Sequence, residues 1–462
     1  MRRRASPATS GRGVNSDGRL SMRARFARLA GAGVIALCVI APETALSADS
    51  IPLPEPLTLA AALAQADAMH PELARQQALL DRAGAHQREI EARGAAHLSL
   101  EANLRAVEPS YKATDLSSND SSLRLRLRKR LYDFGRSDAL ASAADADRLG
   151  REWDYLDARQ QRRLEIMSRF FDVLLADLQY MRDNEVMTMT FLRWDKARQR
   201  NELGQLSDIE VLELESLFQQ ERGNVAQTRN QQRAARARLA NSLNRPGQLS
   251  SDLVAPTLPV LERVGGELEE LTEAALADNP RLKALRARVE GAGQQLKGAR
   301  AGDGPVIHGE IEAAAYNKVT GTRDPLSAGL VFELPLSSGG AVEAEVARNR
   351  ALLAERRAEL ALAEMEVRQA VLDLWLELDA LRVRREEMIA LGGYRELYLD
   401  RSRARYELEI QSDLGDAQAR LVDYKLRKAE IEFATSLAWA RLDALTGRLI
   451  DPVATGMHEE QR

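Results

Sequence analysis

Residues 122–136 read Ser-Leu-Arg-Leu-Arg-Leu-Arg-Lys-Arg-Leu-Tyr-Asp-Phe-Gly-Arg. Over the first ten the period is two. Leu123, Leu125 and Leu127 face one way, and Arg124, Arg126, Arg128 and Arg130 face the other. That is the alternation of a strand with one apolar and one charged side. Past Gly135 the period changes. From Asp138 to Asn201 there is no proline, and Gly150 is the only glycine. The strand therefore feeds, across a glycine turn, into a helix of roughly 100 Å at 1.5 Å per residue. A helix that long outruns any compact core and must lie lengthwise against others, as in a coiled-coil bundle or tube.

The same order occurs twice, which divides the chain. A first repeat spans 49–244 and a second 267–447. The linker over 245–266 carries Pro246, Gly247, Ser250, Ser251, Pro256 and Pro259, and a flexible tail is expected over 448–462. Each repeat opens with a helix ending in an Ala-rich, Pro-containing phrase, Ala66–Leu73 and Ala275–Leu282. Gly135 matches Gly340 at an offset of 205. Leu164, Phe171, Leu175 and Leu178 match Val367, Leu374, Leu378 and Leu381 at 203, as do Arg238-Leu239 and Arg441-Leu442. This places a two-residue change before Val367. Apolar residues at Val367, Val371, Leu374, Leu378 and Leu381 recur at three- and four-residue steps, a coiled-coil seam.

Four segments alternate with period two: about 97–106, 122–131, 306–316 and 326–335. Each has the length of a tilted transmembrane β-strand, and apolar-out, polar-in alternation is the pattern of a barrel in lipid. A half-buried sheet in water makes the same alternation. Four strands cannot enclose a lumen, and open edges are not tolerated in lipid, so a membrane-inserted form must pool strands from several copies. The arginines from Arg124 to Arg130 either favour anions at the outer mouth or pair with Glu101, Glu310, Glu312 and Glu333 inside the same barrel. We favour pairing.

The N-terminus supplies the compartment. Arg23, Arg25 and Arg28 precede an apolar run from Leu29 to Ala41, broken by Pro42 and followed by Ala45, Ser47 and Ala48. This is the order of a secretory signal peptide, assigned to 1–48, with Met22 as an alternative start. No other segment reaches the ~20 apolar residues of a helical span. Cleavage removes the only cysteine, Cys38. Leu37 directly before it is a poor fit for lipidation.

Composition narrows the function further. Sixty-five basic against 69 acidic residues give a net charge of −4, without the basic excess of a nucleic-acid binder. One cysteine excludes a disulfide framework or a Cys-based zinc site. His70, His86, His97, His308 and His458 are isolated. Gly291-Ala292-Gly293 lacks the third glycine and the strand of a dinucleotide site. No catalytic constellation, cofactor site or metal site is read from the sequence, so no enzyme is expected.

The residues carry a resemblance. Pro335-Leu336-Ser337-Ser338-Gly339-Gly340 is similar to the Pro-Leu-Phe-Asp-Gly-Gly phrase of the TolC-like outer-membrane efflux proteins, the outer membrane factors, and Leu131–Arg136 is its counterpart in the first repeat. Gly204-Gln205-Leu206-Ser207-Asp208-Ile209-Glu210-Val211-Leu212-Glu213 resembles the family's turn and helix start, Gly-x-x-Ser/Thr-x-x-Asp-Val-Leu-Asp. Ser412-Asp413-Leu414-Gly415-Asp416-Ala417-Gln418 approaches its Leu-Asp-Ala-Gln phrase. The second repeat departs from the pattern, since the expected glycine falls at Glu407 or Glu409. In the first repeat the acidic pair is Glu rather than Asp.

The resemblance covers nearly all of the mature chain. It implies a mainly α fold with a small β part: a homotrimer with a 12-stranded outer-membrane barrel and a helical tunnel reaching into the periplasm. It implies an exit duct for a tripartite efflux pump or type I secretion system, docked to a periplasmic adaptor and an inner-membrane transporter. The reading from another class is a soluble periplasmic coiled-coil adaptor or scaffold. An adaptor is expected to carry one helical hairpin and Gly- and Val-rich segments, where this chain carries two hairpins and two strand pairs.

Gly135, Gly339 and Gly340 are the expected strand-to-helix turns, where a positive φ favours glycine. Gly204, Ser207 and Ser412 belong to the helix tips. Glu210 and Glu213, like Asp413 and Asp416, are three apart and share a helical face. In three copies they would ring the axis as a cation-binding constriction, raising one another's pKa. The competing reading is capping: acids near a helix N-terminus offset its dipole, with Ser207 and Ser412 as N-caps.

Overall fold

The computed structural model describes residues 54–67, 70–111, 115–248, 252–263, 265–318, 323–408 and 414–450. The expected signal peptide, Ser412, Asp413 and the tail from 451 lie outside the described residues. Ile450, inside the expected tail, is buried.

The first repeat comprises α1 (Leu59–Ala64), α2 (Pro71–Ala92), β1 (His97–Asn103), β2 (Ser122–Tyr132), α3 (Arg136–Glu202) and α4 (Asp208–Ser242). The second comprises α5 (Leu268–Asp278), α6 (Pro280–Arg300), β3 (Val306–Tyr316), β4 (Leu326–Glu333), α7 (Ala341–Glu407) and α8 (Leu414–Leu445). A short 3-10 turn, Pro259–Glu262, lies between them. Pro71 and Pro280 each stand at the first helical position, where the missing N–H costs nothing. The side chains of His70 and Asn279 cap the two helices.

The long helices, α3 and α7, are each 67 residues. They begin and end at one offset, 205, so the two-residue change lies beyond Glu407 and not before Val367. The mid-helix matches at 203 are therefore coincidences of a repeating apolar pattern. The offset is 209 from Leu59/Leu268 through His97/Val306, and 203 at the ends of α4 and α8. Repeat two is thus shorter in its strand hairpin and in its second helical hairpin.

Two apolar cores hold the bundle. Phe170, Phe171, Ile166 and Val173 of α3 pack with Leu239 of α4, Leu57, Ala62 and Phe433 of α8. The Phe171 and Phe433 rings stack at 4.4 Å. Val367, Val371, Leu374 and Leu381 form the buried seam of α7, against Trp439 and Leu442 of α8 and Leu271 and Ala275 of α5. Small residues let helices close up: a Cβ on Gly150 or Gly291 would come within 3.3 Å of the facing backbone between α3 and α6.

Candidate functional site

Two regions concentrate the residues singled out above. The first is a four-stranded antiparallel sheet in the order β1-β2-β3-β4. Its register sorts the side chains. Leu98, Leu127, Ile311 and Ala328 align across all four strands, and beside them Leu100, Leu125, Ala313 and Leu326. These rows form one apolar side, and it is uncovered in the single chain: Leu98 is 65% and Leu330 74% exposed. The opposite side carries the arginine row. Arg126 meets Glu312 at 2.8 Å and Arg128 meets Glu310 at 3.1 Å. Glu101 stands opposite Arg124, whereas Glu333 stands opposite Val306. Pairing thus accounts for the middle of the row.

β1 ends at Asn103, short of the 97–106 pattern, and the hairpin continues irregularly through an isolated Ala106–Asn119 bridge. β4 stops at Glu333, two residues before Pro335, which has no N–H to donate to a ladder.

At the strand-to-helix junctions, Gly135 and Gly340 both have φ 83°, directly before α3 and α7. The residue ahead is also left-handed in each case: Gly339 at φ 60°, and Phe134 at φ 55°. Phe134 is a position where pattern reading sees only an aromatic. Its ring lies 4.7 Å from that of Tyr132. Asp133 completes the junction. Its buried carboxylate accepts from the Ser137 amide at 3.0 Å and the Ser137 hydroxyl at 2.5 Å, with the Arg130 guanidinium 3.4 Å away. The Asp133–Ser137 spacing, four residues across a glycine, is the signal that could have revealed this cap.

The second region is the far end of the helices. Gly204 has φ 71°. Its N–H donates to Asn201 O at 2.7 Å, and the Gln205 N–H donates to Arg200 O at 2.9 Å, a Schellman stop to α3. Ser207 opens α4 with a capping box: its hydroxyl accepts from the Glu210 amide, and the Glu210 carboxylate accepts from the Ser207 amide at 3.0 Å. These contacts, the Ser207 backbone N–H first, hold the Glu210 carboxyl below the usual range. Glu213 is exposed on the same helix. Asp416 lies 2.8 Å from Arg420 and 3.7 Å from Arg193 of α3. Asp423 meets Arg182 of α3 at 3.9 Å. These links tie α8 to α3, and no sequence spacing announces them.

Among the described residues, no group of His, Cys, Asp or Glu is placed to hold a metal. Among the same residues no helix is long and apolar enough to cross a membrane; such a test says nothing of a β-barrel.

Residues 271–448 match the family model described as outer membrane efflux protein. The outer membrane efflux protein BepC of Brucella suis biovar 1 is 27% identical over 113 residues, 24% of this chain. The match spans about a quarter, 25%, of that relative's length. Among solved structures, the outer membrane protein VceC of Vibrio cholerae superposes with a TM-score of 0.69 at 18% identity, covering 85% of this chain and 97% of that one. The CmeC outer membrane channel of Campylobacter jejuni gives 0.69 at 13% identity, covering 87% and 89%.

Proposed function

We propose that this chain, which belongs to the family of TolC-like outer-membrane efflux proteins, is the exit duct of a tripartite efflux pump or type I secretion system. One observation carries the reading. A four-stranded sheet with an uncovered apolar side and two unpaired edges, β1 and β4, leads straight into two 67-residue helices. An open sheet cannot stay in lipid. Three copies, each joining its β1 edge to the next copy's β4, close a 12-stranded barrel with the apolar side toward lipid and the Arg–Glu side toward the lumen. The helices extend the lumen into the periplasm as a tunnel. The far tip meets a periplasmic adaptor, and the adaptor meets an inner-membrane transporter.

At that tip, we propose, Glu210, Glu213, Asp413 and Asp416 in three copies make an acidic constriction. Glu210 takes a capping part in it. Such a ring disfavours anions and holds divalent cations.

The test is membrane fractionation, extraction in mild detergent and a mass with detergent subtracted, followed by planar-bilayer conductance. An outer-membrane trimer that conducts supports the duct. A periplasmic monomer or dimer overturns it and marks the chain as a coiled-coil adaptor or scaffold. Asp413→Asn with Asp416→Asn should raise conductance and weaken cation block. Unchanged conductance and block would remove the constriction while leaving the duct.

A further inference from the structure

One face of α7 is left bare by its own chain. Leu374 and Leu381 are buried against α5 and α8. Val383 stands two residues past Leu381, about 200° round the helix, and is 54% exposed. Leu376, Val383, Ala390 and Leu397 follow one another at seven-residue steps along that far side, with Tyr394 between the last two. Leu376, Tyr394 and Leu397 are each more than half exposed, Leu397 at 72%. Apolar residues at that spacing are how a helix presents a seam to another helix. From Leu376 to Leu397 the seam is roughly 30 Å long.

Topology decides what can reach it. Toward the tip, α4 packs on α3, α3 on α8 and α8 on α7; toward the sheet, α2 packs on α3, α3 on α6 and α6 on α7. The sheet ends in β1 and β4. The chain therefore has two free flanks: β1, α2 and α4 on one side, β4 and α7 on the other. A ring of copies sets α7 of one against α4 of the next.

The α4 flank is shaped to receive large side chains. Away from α3 it carries Ser216, Gly223, Ala226 and Asn230, all exposed. Gly223 stands in mid-helix, where glycine is unfavourable. Nothing in its own chain calls for it, since a Cβ there meets no atom within 4 Å. Height supplies the reason. At the shared offset of 205, Tyr394 of α7 is level with Met189 of α3. The rings of Phe191 of α3 and Phe218 of α4 lie 5.4 Å apart, so Met189 is level with Gln220, less than one turn from Gly223. A second route agrees: Tyr424 of α8 reaches Gly392 of α7, while its neighbour Asp423 reaches Arg182 of α3. Rotation about an axis along the helices preserves these heights from copy to copy.

We propose that the bare face of α7 packs on α4 of the next copy, with the Tyr394 ring seated over Gly223 and Leu397 beside Ser216. Gly223 then serves the partner copy, not the fold of the single chain. The inference rests on the duct reading, whose trimer it describes at the level of side chains.

The test begins with the detergent-subtracted mass of the unmodified chain, which shows whether the trimer itself stands. Tyr394 is then replaced by p-benzoylphenylalanine and intact cells are irradiated. Adducts between copies should form, with the attachment mapped by mass spectrometry to residues 216–230. Adducts elsewhere on the chain, or only with a different protein, overturn the proposal; where the unmodified chain is a trimer, the duct reading survives that outcome. A pair of variants gives a second readout. Gly223→Leu should leave the single chain folded, because the position is open, yet raise dissociation of the trimer at least about tenfold through overpacking. Combining it with Tyr394→Ala should restore the trimer. A Gly223→Leu trimer that dissociates no faster than the native one overturns the proposal.

Discussion

The two repeats share a backbone and differ in how each closes its core. α3 and α7 have the same length, the same left-handed glycine at the start and the same offset at both ends. Yet the core around Phe170 is sealed by Leu57 and Leu253, while the core around Val371 buries Trp439 but leaves Trp375 half-open at its edge. The rod geometry is therefore set by features that duplicate easily, namely uninterrupted helix and two turn residues. The sealing side chains are free to diverge once the rod is fixed.

The sharpest way to break that comparison is to empty both cores at equivalent positions. Phe170→Ala should cost about 3–5 kcal/mol, the usual range for a fully buried aromatic. Trp375→Ala, at the same helical position in repeat two, should cost less than half as much, because part of the indole is already outside the core. Denaturant unfolding of the mature chain measures both. Equal losses would show that repeat two is sealed as tightly as repeat one.

A second difference is Gly392, which repeat one replaces with Met187 at the 205 offset. A Cβ on Gly392 would overlap the Tyr424 hydroxyl of α8. Gly392→Ala should cost about 1–3 kcal/mol through overpacking. Tyr424→Leu should relieve most of the strain, so a double-mutant cycle on unfolding free energies should show strong coupling. Independent effects would mean that α7 and α8 can part there without loss.

Much of this architecture is legible in the residues. The alternation Leu123–Arg130 and the long proline-free runs announce strand and rod, because period and length are local properties. Gly135, Gly339 and Gly340 are legible because a left-handed turn favours glycine. Phe134 is not, since an aromatic at φ 55° is held there by its surroundings, including the Tyr132 ring. The Arg193–Asp416 and Arg182–Asp423 contacts are invisible for another reason: they join residues more than 200 apart, and the sequence carries no pairing code for exposed ions. The true offset was obscured because a seam repeating at three and four steps matches itself when slid by a few residues.

The junction glycines should behave alike. Nothing lies within 4 Å of a Cβ on Gly135 or Gly340, so Gly135→Ala and Gly340→Ala each pay only the left-handed backbone penalty, about 1–2 kcal/mol. Unfolding midpoints should fall equally. A larger loss at one would locate a contact that the other repeat lacks.

The smallest effect decides most about the tip. In the capping box the folded pKa of Glu210 is depressed. Its contribution to stability is then fully present above the ordinary carboxylate value of 4.5 and is lost as the pH falls through the lower folded value. If three Glu210 side chains instead crowded one another on the trimer axis, the folded pKa would be raised. Glu210 would then favour the folded state only below the ordinary value and lose that contribution as the pH rose through the folded one. The two arrangements have opposite signs. The stability difference between the native protein and Glu210→Gln, followed by unfolding from about pH 3 to pH 7, should grow with pH if capping dominates. A difference that shrinks toward neutrality would move Glu210 from the cap to the ring, beside Glu213 and Asp416.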